Sequence, residues 1–113
     1  MKKILLVGCG GIGSRHLQAL SKLRLKAELF VIDTSNESIE RARLIYDAMP
    51  KNDLIKRVLY SNSLNSIDFD VDLAIIATNS NIRKKIIQTI ISKINVKYFL
   101  LEKVAFQSIN CFK

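Results

Sequence analysis

The residues Gly8-Cys9-Gly10-Gly11-Ile12-Gly13 fit the pattern G-x-G-x-x-G, a spacing that can cradle phosphate. Gly8 would allow a tight turn, Gly10 a close approach of backbone to a pyrophosphate, and Gly13 the close packing of a helix on a strand. The N–H groups at the helix start, around Gly11 and Ile12, would face the anion, helped by the helix dipole. A dinucleotide site also needs an acid about 20 residues downstream, and Asp33 stands there. A carboxylate at that place accepts hydrogen bonds from the adenosine ribose hydroxyls and repels a 2′-phosphate, which favours NAD over NADP. Further on, Thr78 and Asn79 close an apolar run, where a cofactor crosses the carboxyl ends of parallel strands.

Glycines cluster in many loops, so the flanks of the motif carry much of its meaning. Before it, Ile4 to Val7 is a short apolar run of the kind that forms a strand buried on both faces. After it, Ile12, His16, Leu20 and Leu23 recur at helical spacing, with Leu17 beside them. A second strand spans Ala27 to Ile32 and ends on Asp33. Thr34-Ser35-Asn36-Glu37 then fits a capping box with Thr34 as N-cap, opening a helix that Pro50 ends.

A short strand is expected around Arg57 to Tyr60, then a Ser/Asn-rich loop with a helical turn near Ser63 to Ile67. Val71 to Ala77, with five consecutive apolar residues after Asp72, reads as a central parallel strand. In the helix that follows, Ile82, Ile86, Ile90 and Ile94 repeat every four residues, and Ile87 and Ile91 widen the stripe. A last buried strand is expected from Tyr98 to Leu101. The alternation of strand and helix predicts an α/β fold, a doubly wound parallel sheet of the Rossmann type in a single domain.

The chain has 113 residues, 49% hydrophobic and 25% charged, which suits one soluble globular domain. No apolar run approaches the roughly 18 residues of a membrane span, and Gly8 stops the first run short of a secretory leader. Cys9 and Cys111 offer neither metal spacing nor a disulfide framework. No metal site is expected, Cys9 reads as a small packing residue in the loop, and a reducing cytoplasm is the natural compartment. The net charge of +8 comes from eighteen scattered Lys and Arg residues. Without a basic stretch interleaved with aromatics, nucleic acid is not the expected partner.

Four stretches resemble the glucose–fructose oxidoreductase and inositol dehydrogenase group, often called Gfo/Idh/MocA. "GCGGIGSRH" is similar to its glycine loop, including the histidine at His16. Asp33 occupies its acidic position. "DVDLAIIATNSNIR" is similar to its fourth strand and following loop, and "KYFLLEKV" to its fifth strand and Glu-Lys-Pro motif. Three positions depart from the pattern: Asn79 replaces a common proline, Arg83 a common histidine, and Val104 the proline of Glu-Lys-Pro.

The resemblance implies that Glu102 lies by the cofactor and that Lys103 lies near nicotinamide and the substrate hydroxyl. There Lys103 would polarise a carbonyl or assist proton transfer. It further implies hydride transfer between nicotinamide and a sugar-like or polyol substrate. Residues 1–104 would form the dinucleotide-binding domain and 105–113 a tail. The family's second α/β domain, which supplies the substrate pocket, has no room in this sequence. The chain alone is therefore expected to bind NAD without turnover, and to need that domain or to form a homo-oligomer. Two rival readings are a regulatory NAD-sensing module, which would not require Glu102-Lys103, and a methyltransferase-like nucleotide site.

Overall fold

The computed structural model describes residues 1–8, 10–78 and 80–101, the side chains of Ile12, Ser80 and Asn81 excepted. Cys9, Asn79, Glu102, Lys103 and the tail 105–113 lie outside the described residues. Five strands, β1 (Lys2–Val7), β2 (Ala27–Ile32), β3 (Ile55–Ser61), β4 (Val71–Ile76) and β5 (Val96–Leu101), form one parallel sheet of order β3-β2-β1-β4-β5. Three helices, α1 (Gly11–Leu20), α2 (Asn36–Asp47) and α3 (Ser80–Lys93), connect them, with a 3-10 turn at Leu64–Ser66 between β3 and β4.

The sheet is covered on both faces because its central strands are apolar on both. On one face Leu17 and Leu20 of α1 and Ile39 and Ala42 of α2 join Ile4, Leu6, Leu29 and Val31 in one buried cluster. On the other, Ile90 and Ile94 join Leu5, Val7, Phe30, Ile32, Ala74 and Ile76. This is the doubly wound arrangement expected from continuous apolar strands.

Three local expectations are corrected. Helix α2 is capped by Ser35, whose side chain accepts from the Ser38 N–H, rather than by Thr34. The Asp33 carboxylate accepts from the Ser35 N–H at 2.8 Å, which folds Thr34 into the preceding turn and moves the helix start one residue on. Ile91 is 62% exposed and does not widen the buried stripe. Strand β5 is not buried: Tyr98 is 65% exposed, and Leu100 and Leu101 are exposed too. It is the outer strand and pairs only with β4 among the described residues, while α1 and α2 cover β1 and β2.

Away from the strand ends, burial and the adjacent Asp47 carboxylate raise the phenol of Tyr46 on α2 above its usual value. Among the described residues no helix is long and apolar enough to cross a membrane.

Candidate dinucleotide cleft

The carboxyl ends of β1, β2 and β4 meet at one edge of the sheet. Hydrogen bonds carry the register past the strands: Gly8 N–H donates to the Ile32 carbonyl at 2.8 Å, Ala77 N–H to Val7 at 2.9 Å, and Asp33 N–H to Ser61 at 3.1 Å. Over this edge opens a cleft of about 440 Å³, lined by Gly8 and Gly10, by Asp33 and Thr34, by Asn62 to Leu64, and by Ala77, Thr78, Ile82 and Ile86. Such a crevice forms where the crossovers of a parallel sheet turn in opposite directions.

The glycines differ in what they do here. Gly8 has φ +92°, and a Cβ on it would stand 2.9 Å from the Ala77 carbonyl oxygen. Both facts exclude a side chain. A Cβ on Gly13 would overlap the Gly8 carbonyl, so this glycine lets α1 lie against the turn after β1. Gly10 and Gly11 instead face space: beyond their chain neighbours, no atom of the described residues comes within 4 Å of an added Cβ. Gly10 is the N-cap of α1 and offers no side-chain cap to its first N–H groups, and the first turn carries no acid. Those donors and the positive helix end suit an anion.

Of the residues singled out by sequence, Gly8, Gly10, Asp33 and Thr78 line the cleft together. Gly11 begins α1 beside it, Ile12 follows in the same turn, and Gly13 packs beneath Gly8. Asn79, Glu102 and Lys103 lie outside the described residues. Thr78 Oγ1 is buried with no hydrogen-bond partner among the described residues, which leaves a donor and acceptor at the cleft wall.

Sequence reasoning missed the opposite wall. Asn62 read only as part of a polar loop, Ser63 and Leu64 as the start of a helical turn, and Ile82 and Ile86 as helix core. The available signal was topological: a loop following a parallel strand lies at the same sheet edge as the glycine loop.

The chain superposes on S. aureus TarJ, solved in complex with NADPH, with a TM-score of 0.54 and 14% sequence identity, over 97% of this chain and 32% of that one. The fold is Rossmann-like. The chain spans about a third of the length of that protein. Comparison with known protein families finds no match, and comparison with curated proteins finds none.

Proposed function

We propose that this chain is the dinucleotide-binding module of a nicotinamide-dependent oxidoreductase of the Gfo/Idh/MocA type. The observation that carries the reading is the open space over Gly10 at the bare start of α1, in the same cleft as Asp33. The glycine edge suits the pyrophosphate, and Asp33, just past the end of the neighbouring strand β2, suits the adenosine ribose. The NADPH bound by the structurally similar TarJ supports a nicotinamide dinucleotide rather than S-adenosylmethionine. The preference for NAD over NADP rests on Asp33, whose negative charge disfavours a 2′-phosphate.

When bound, the nicotinamide donates or accepts the hydride. The chain's own work is to bind and orient: backbone N–H groups of α1 hold the phosphates, Asp33 the ribose, and Ala77 and Thr78 the side toward the ring. By the motif resemblance Glu102 adjoins the cofactor and Lys103 assists proton transfer at a sugar-like or polyol hydroxyl. By the same resemblance a second α/β domain would supply the substrate pocket, while the cleft formed by these strands binds the cofactor.

A fluorescence titration with NADH and NADPH, beside calorimetry with S-adenosylmethionine, tests this reading. NADH is expected to bind more tightly than NADPH. Asp33→Ala should weaken NADH by about tenfold or more, through loss of a charge-assisted bond of roughly 1.5–3 kcal/mol. Equal or tighter binding of NADPH overturns the NAD preference, and tighter binding of S-adenosylmethionine overturns the oxidoreductase reading.

A further inference from the structure

Asp33 is held from two sides: its carboxylate by the Ser35 N–H, and its main-chain carbonyl by the loop after β3. Asn62 Nδ2 donates to the Asp33 carbonyl at 3.2 Å and to Asn36 Oδ1 at 2.7 Å. A backbone carbonyl can only accept, so the amide orientation of Asn62 is fixed, and that of Asn36 follows from it. The same turn is closed by the Asp33 N–H to the Ser61 carbonyl and by the Ser35 N–H to Asp33 Oδ1. The backbone on either side of the Asp33 side chain is thereby tied to β3 and to the first residue of α2. Asn62 also lines the cleft beside Asp33.

We propose that Asn62 is a positioning residue for discrimination at the ribose 2′ position. It clamps the turn between β2 and α2, so that the Asp33 carboxylate stays where it accepts from a 2′-hydroxyl and opposes a 2′-phosphate. This role rests on the dinucleotide reading above. Freed from the clamp, the turn moves away from the ribose, the hydroxyl loses its aligned acceptor, and the phosphate loses an opposing charge. The two cofactors therefore respond unequally, which a general loss of stability does not produce.

The test is Asn62→Ala, titrated with NADH, NADPH and reduced nicotinamide mononucleotide, which lacks the adenosine half. NADH is expected to weaken roughly three- to tenfold, NADPH by less than about twofold, and the mononucleotide not at all. If N62A does not fold, N36A removes the acceptor at the start of α2 alone and should narrow the NADH-to-NADPH ratio by a smaller factor. Equal weakening of both dinucleotides, or an unchanged ratio in the folded variant, overturns the role of Asn62 while leaving the proposed function standing. Wild-type protein that binds neither dinucleotide removes the proposed function and this role with it.

Discussion

Among the described residues, a methyl group at Gly10 meets no atom beyond its chain neighbours, whereas one at Gly13 runs into the Gly8 carbonyl. Gly10→Ala should therefore cost about 1 kcal/mol or less, the difference between glycine and alanine at an N-cap. Its methyl would occupy the space assigned to the pyrophosphate, and NADH should weaken at least about tenfold. Gly13→Ala should cost roughly 3 kcal/mol, because a backbone carbonyl has to move to admit it. Urea unfolding and NADH titration of the two variants separate these roles. A Gly10→Ala protein that binds normally makes the loop a structural turn only. The motif in the sequence names all three glycines alike, and the backbone conformation and the neighbouring atoms tell them apart. Asn62 was illegible for a related reason: its bond to Asp33 joins positions 29 apart, and no local spacing announces a meeting of two turns.

At the scale of elements, the helices were legible by period but not by which residues of the period face inward. Six isoleucines of α3 and its end share one pattern, yet Ile90 is 2% exposed and Ile91 62%. A hundred degrees of rotation separates neighbours on a helix, and the position of the sheet beneath selects one of them. Ile90→Ala should cost about 2–5 kcal/mol and Ile91→Ala less than about 0.5 kcal/mol. The cap of α2 behaves similarly. Thr34 and Ser35 are both competent, and the Asp33 side chain chooses between them by binding the Ser35 N–H. Ser35→Ala is expected to lose about 1 kcal/mol of stability, while Thr34→Ala changes it little. Equal losses in thermal unfolding would return the cap to Thr34.

At the scale of the whole molecule, the alternation of strands and helices made the parallel sheet legible. The exposure of β5 was not, since an apolar run reads the same in an outer strand as in a central one. The cleft draws its walls from the ends of β1, β2 and β4, the loop after β3, and Ile82 and Ile86 of α3. A dinucleotide lying in it would touch both halves of the sheet, and the unfolded chain presents no such surface. Binding must then stabilise the folded chain against global unfolding by mass action, by about 2.7 kcal/mol at a free ligand concentration one hundred times Kd. For a chain of 113 residues this corresponds to a rise in Tm of roughly 10–15 °C. Each further tenfold of NADH should add about 1.4 kcal/mol without a plateau. In Asp33→Ala the rise should be smaller at the same NADH concentration and recover when NADH is increased in proportion to the weakened Kd. Thermal unfolding followed by circular dichroism across an NADH series reads this directly. A Tm indifferent to NADH at concentrations that saturate the fluorescence titration would mean that the ligand binds unfolded chain as well. The cleft would then not be its site.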